Sequence, residues 1–256
     1  MAIRAGASVR AVAVPHIGQA LRTQIVTAAR ILDTERLVEA FGHVSARARD
    51  RSGTERVLIT PRRALSLIEP ADVATLDLAT GATLGGSPPL EAALHLAIYR
   101  ARPDVRAICR THSPMVGVFG ALGRPIRPVH GFGTWLGPQV TVFDTTLLVA
   151  DARLARSVAA ALADGPALIL RGNGAIVPGA SLAEATFKAI VLEEAASIQY
   201  RATLLGTPRF YPAAAIAARL RMDQTDEPLR AWAHYARRAG LSASSGRRRP
   251  RASARS

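Results

Sequence analysis

The chain predicts an α/β layer structure, with helices packed on a central sheet. Segments with apolar residues at helical spacing alternate with short β-branched runs, and Pro61, Pro103-Asp104 and the turn Arg171-Gly172-Asn173-Gly174 punctuate them. Size agrees, since 256 residues of which 49% are hydrophobic suffice for one sizeable core.

Taken in order, residues 19–39 carry apolar positions at helical spacing and end before Phe41-Gly42. Strands are expected at 57–60, where Pro61 stops a β-branched run, and at 73–78. A helix over 90–102 follows, then a strand over 105–109 and a helix over 114–122. Further strands are expected at 140–143 and 167–170, with a helix over 150–163 between them. Residues 181–205 read as one long helix. The domain organisation is then an N-terminal arm over 1–18, one domain over 19–240 and a basic tail over 241–256.

Composition excludes several classes. No apolar run reaches the roughly 18 residues of a membrane span, and the N-terminus lacks a signal-peptide core and cleavage site, so it reads as a loose arm. The single Cys109 has no internal disulfide partner, which suits a reducing cytoplasm. A formal charge of +14 raises nucleic acid as a partner, but five arginines lie within the last ten residues, with no acidic residue from Leu241 onward. That distribution describes a solvated, disordered tail better than a nucleic-acid surface. Lys188 is the only lysine and falls on the solvent side of a helical stretch, so imine chemistry has no candidate nucleophile.

The chemistry concentrates between Pro88 and Pro114. Glu91 opens a helix, where the dipole favours a carboxylate, and His95 follows at i+4 on the same face. A carboxylate at a helix mouth can move a proton, although a Glu/His pair at this spacing is also an ordinary surface contact, and His95 reads as structural. The strand over 105–109 returns to Arg110, Thr111 and His112, with Arg110 and His112 alternating onto one face. A guanidinium there repels a metal cation and suits a bidentate grip on a substrate carboxylate. His112 has a core or capping role as its alternative. His130 lies among glycines with Phe132 and Trp135, either as a ligand-approaching loop or as a merely structural one. Asn173 is a poor zinc ligand that can serve harder cations such as magnesium or manganese, and a tight turn is its plainer reading.

The spacing of Glu91, Arg110-Thr111-His112 and Arg171-Gly172-Asn173-Gly174 resembles the class II aldolase/adducin family over about residues 20–205. Gly42-His43-Val44-Ser45-Ala46-Arg47 resembles its GNxSxR turn, and Ile59-Thr60-Pro61-Arg62-Arg63 its ITPSG-like segment. The resemblance implies an α/β sandwich around a mostly antiparallel sheet, a homotetramer, and a site with Glu91 as acid/base. It also implies a zinc set in which Arg110 and Asn173 here replace two histidines, leaving His112 and His130 as the expected ligands for manganese, magnesium or zinc. Pro89-Leu90 stand where phosphate-using members place a serine pair, which disfavours a sugar phosphate.

HVSAR, ICRTHSP, HGFGT and RGNGAI resemble the dihydroxyphthalate decarboxylase branch. The expected function is therefore a carbon–carbon lyase, a decarboxylase of a hydroxylated aromatic or ring-opened dicarboxylate. In it Arg110 holds a carboxylate, Glu91 handles protons, His112 and His130 orient substrate or metal, and His43, Ser45, Arg62 and Asn173 bind substrate. The alternatives are a divalent-metal aldolase for a small sugar or hydroxy-keto acid, and a non-catalytic adducin-like interaction protein. A cytoplasmic homo-oligomer acting on a small carboxylate, with no membrane or nucleic-acid partner, completes the expectation.

Overall fold

The computed structural model describes residues 18–222 and 226–241. Apart from Gly18 and Leu241, the arm and the basic tail lie outside the described residues.

One eight-stranded sheet organises the chain: β1 (His43–Arg49), β2 (Glu55–Ile59), β3 (Ala74–Asp77), β4 (Thr83–Gly85), β5 (Ala107–Thr111), β6 (Val142–Phe143), β7 (Leu168–Leu170) and β8 (Ala175–Gly179). Their spatial order is β4-β3-β2-β1-β5-β8-β7-β6. Every pairing is antiparallel except β6 with β7.

Both faces are covered, which is why strands such as β5 and β7 read as continuous apolar runs. Leu58, Ala107, Cys109, Ala175 and Val177 enter one core with α1 (Gln19–Thr34), α3 (Pro114–Leu122) and α5 (Leu182–Leu205). Their alternating neighbours Val57, Ile59, Ile108 and Ile176 enter a second core with α2 (Ala92–Ala101) and α4 (Ala152–Leu162). α6 (Ala213–Leu220) and α7 (Glu227–Arg238) complete the chain, and α7 packs on α1 and α5. This is the expected α/β sandwich. Among the described residues no helix is long and apolar enough to cross a membrane.

Local chemistry sets the element ends. Asp151 caps α4 by accepting from the Arg153 and Leu154 N–H groups, and Ser181 caps α5 by accepting from that of Glu184. The carboxylate of Glu193 on α5 accepts from the Met115 and Val116 N–H groups, fixing the start of α3 just after His112.

Three expectations need correction. The first helix stops at Thr34, because Arg36 adopts a left-handed conformation (φ 59°) and the Leu37 N–H bonds back to the Leu32 carbonyl. The stretch read as a turn at Gly42–Arg47 is mostly the central strand β1, and the glycine-rich segment after Asn173 becomes strand β8. Pro178 inside β8 and the small residues of both segments hid them from a propensity reading.

Candidate active site

The candidate site lies where β1, β5 and the β7–β8 turn end beside the start of α2. His43 pairs with Arg110 across β1 and β5, which sets both on the α2 side of the sheet. Glu91 is the residue that opens α2, and its side chain does not cap the helix. It turns instead to the sheet, where Arg110 Nη2 lies 3.5 Å from Oε1 and 3.4 Å from Oε2. The Val149 N–H, before α4, approaches Oε1 at 3.4 Å, and His43 Nδ1 lies 4.0 Å from Oε2.

Two glycines make this convergence possible. At Gly174 (φ +70°) a Cβ would fall 1.9 Å from the Thr111 carbonyl oxygen and 3.0 Å from Arg110 Nη1, so the turn carrying Asn173 can rest on the end of β5 only without a side chain there. At Gly42 (φ +135°) a Cβ would lie 2.8 Å from the Arg110 carbonyl oxygen.

Above Glu91 opens a cleft of about 520 Å³ lined by Phe41, His43, Arg62, Arg63, Leu90, Glu91, His112, Leu148 and Asn173, among others. The structure thus brings together five of the sequence-derived candidates: Glu91, His112, His43, Arg62 and Asn173. Arg63 forms an ion pair with Asp72 at 3.2 Å, whereas among the described residues no hydrogen bond or ion pair holds the exposed Arg62. Phe41, 71% exposed, meets the His112 ring edge-on with centroids 6.3 Å apart.

Burial and the neighbouring guanidinium hold both cleft imidazoles in their neutral form. His43 is lowered from 6.5 to about 3, first by burial and then by Arg110 and His112. His112 is lowered to about 4, again by burial first and then by Arg110. Near neutral pH both rings are therefore uncharged, weak bases that can hydrogen-bond a ligand at either nitrogen.

Three candidates sit elsewhere than expected. Arg110 is completely buried, donates to the Thr111 carbonyl at 2.8 Å and is engaged with Glu91, so its guanidinium lies beneath the cleft and is not presented to a substrate carboxylate. Ser45 is also fully buried: its hydroxyl meets His95 Nδ1 at 2.8 Å and the Tyr99 hydroxyl at 2.9 Å. Side chains on β1 alternate faces, so His43, Ser45 and Arg47 all meet α2, and only the first reaches the cleft. His130 stands on the α5 side of the sheet, 3.7 Å from Glu194, and does not line the cleft. It shares no centre with His112.

The resemblance implies a divalent metal, and the donors present decide whether one fits. Among the described residues no three His, Cys, Asp or Glu side chains converge to hold an ion. The carboxylate nearest the expected position is already engaged by a buried cation, Arg110. These residues do not fit a divalent metal.

His95 and Tyr99 also partner the strand, and Phe41 and Leu148 wall the cleft, roles not expected from the sequence. The i, i+4, i+8 spacing of Glu91, His95 and Tyr99 was the available signal for the first two. For Phe41 and Leu148, in loops, there was none.

Residues 23–200 match the family model described as class II aldolase and adducin N-terminal domain. The chain is 31% identical over 240 residues to a 3,4-dihydroxyphthalate decarboxylase of Terrabacter sp. (strain DBF63), covering 87% of this chain and 99% of that protein. It is 32% identical over 197 residues to a 5-methylthioribulose-1-phosphate/5-deoxyribulose-1-phosphate aldolase of Rhodospirillum rubrum, covering 76% of this chain and 86% of that one. An aldolase II superfamily protein from Pseudomonas syringae superposes with a TM-score of 0.74 at 22% identity, over 86% of this chain and 92% of that chain, and so shares the fold. The chain belongs to the class II aldolase and adducin family, as one of its lyases.

Proposed function

We propose that the protein is a decarboxylase of a hydroxylated aromatic dicarboxylate. The observation that carries this reading is the cleft itself. Cationic Arg62 and Arg63 stand at a mouth walled by Phe41, Leu90 and Leu148, above a floor of one carboxylate and two neutral imidazoles. A flat ring with anionic substituents suits apolar walls and a cationic rim, since guanidinium matches carboxylate in a two-point fork. Similarity to the Terrabacter 3,4-dihydroxyphthalate decarboxylase supports the same class of substrate.

In this reading Arg62 holds one carboxylate of the substrate, and Phe41 with Leu148 flanks the ring. The Glu91 carboxylate takes the proton of a ring hydroxyl, raising electron density on the neighbouring ring carbon, while neutral His112 holds that oxygen by a hydrogen bond. That carbon receives a proton from Glu91, its bond to the departing carboxylate breaks, and the electron pair of that bond returns to the ring as CO₂ leaves. The ring oxygen then regains its proton from water and Glu91 is again the carboxylate it began as, so one proton is consumed per CO₂ released.

The test offers the protein 3,4-dihydroxyphthalate and, in parallel, L-fuculose 1-phosphate, with CO₂ and aldehyde release as readouts. Decarboxylation is expected, and Glu91→Gln should lower kcat on the order of 100-fold with the fold intact. Aldehyde from the sugar phosphate without CO₂ from the diacid refutes the reading in favour of an aldolase.

A further inference from the structure

The cleft sets the family's metal chemistry against this chain's own donors. Metal-dependent lyases place a cation beside the reacting group, where it stabilises the anion that develops as a carbon–carbon bond breaks. This chain has a cation in that neighbourhood already. We propose that the buried guanidinium of Arg110 is a built-in substitute for the divalent metal, positioning Glu91 and supplying the positive charge beneath the cleft. The inference deepens the decarboxylase reading and rests on it only for the reaction concerned.

Geometry is the first support. Arg110 reaches both oxygens of Glu91, at 3.5 and 3.4 Å, and is tied to the backbone by its 2.8 Å bond to the Thr111 carbonyl. Strand pairing with His43 on one side and Ile176 on the other fixes its base, and Gly174 leaves room for Nη1. A charge held this firmly needs no rearrangement as the reaction proceeds, which is the condition for effective electrostatic stabilisation.

Energetics is the second. A fully buried ion pair with long contacts is weak evidence for a stabilising device, because desolvation offsets its attraction. Among the described residues Arg110 Nε also lacks a hydrogen-bond partner. A buried group satisfied this incompletely is explained better by function than by stability. The third support is exclusion: a divalent ion bound to Glu91 and His112 would face this guanidinium without water to screen the repulsion.

The first arm of the test needs no substrate. Chelator-treated wild type is titrated with Zn²⁺ and then Mn²⁺ by calorimetry, beside His112→Ala. Binding dependent on His112 is expected to stay far below one equivalent, and one equivalent that disappears in His112→Ala overturns the proposal. The second arm uses 3,4-dihydroxyphthalate. Chelator treatment should leave wild-type turnover unchanged, and Arg110→Met, with its fold checked by circular dichroism, should lose kcat on the order of 100-fold while KM moves about threefold or less. Full kcat in Arg110→Met, or turnover that requires added metal, overturns the assignment. Where Arg110→Met fails to fold, the wild-type chelator and titration measurements decide. A protein that releases no CO₂ at all fails the decarboxylase reading, while the titration still judges the cation.

Discussion

Three arginines at one cleft do three different things, and their surroundings decide which. Arg110 is buried against Glu91, Arg63 is tied to Asp72, and Arg62 is exposed at the mouth. Arg62 therefore loses least on engaging a substrate carboxylate, since no existing ion pair among the described residues has to break. Arg62→Ala is expected to raise KM for a diacid by about 10-fold or more with kcat within about threefold, the pattern of lost uniform binding. Steady-state kinetics checks this, and an unchanged KM removes Arg62 from substrate binding.

Between β1 and α2 the unit of organisation is a seam, not a residue. His43, Ser45 and Arg47 recur every second position on the strand, while Glu91, His95 and Tyr99 recur every fourth around the helix, so the two rows meet rung by rung. The upper rung is the site. The middle rung is Ser45 between His95 and Tyr99, and in the lower one Arg47 donates to the Tyr99 and Arg102 carbonyls and lies over the Tyr99 ring at 5.4 Å. Ser45→Ala leaves His95 Nδ1 and the Tyr99 hydroxyl buried without their shared partner. The expected loss is roughly 1–3 kcal/mol, read as a lower urea midpoint with an unchanged m-value. A neutral substitution would show that the seam does not hold α2 against the sheet.

Across the whole molecule, covering the sheet on both faces buries imidazoles in neutral form, and this makes stability depend on pH. His43 and His112 are held at about 3 and about 4, against 6.5 in an unfolded chain, and burial also lowers His95 well below that value. Between those folded values and 6.5 the unfolded chain binds more protons, so acid favours unfolding. Stability is thus complete above about 6.5, declines as the pH falls below it, and levels off only beneath the folded values. Urea midpoints at about pH 7 and about pH 5 check this: the midpoint is expected to fall, and to fall less in His43→Gln/His112→Gln. A flat profile over that interval would mean that the imidazoles ionise freely in the fold.

The sequence alone determined the fold class, ten of the helices and strands, and the candidates Glu91, His43, His112, Arg62 and Asn173, because helical and strand periods are local and the family spacing survives in the chain. Tertiary structure alone decided what each polar group faces. The strands β1 and β8 escaped notice because small residues and Pro178 carry little local strand signal, and long-range pairing overrides it. For Arg110, Ser45 and His130 residue type pointed to a substrate contact, but burial beneath α2 and Glu91 placed the first two under the cleft, and the opposite face of the sheet took His130. Which side chains share a cleft depends on strand register and on which helix covers which face, and these are set by packing across distant parts of the chain.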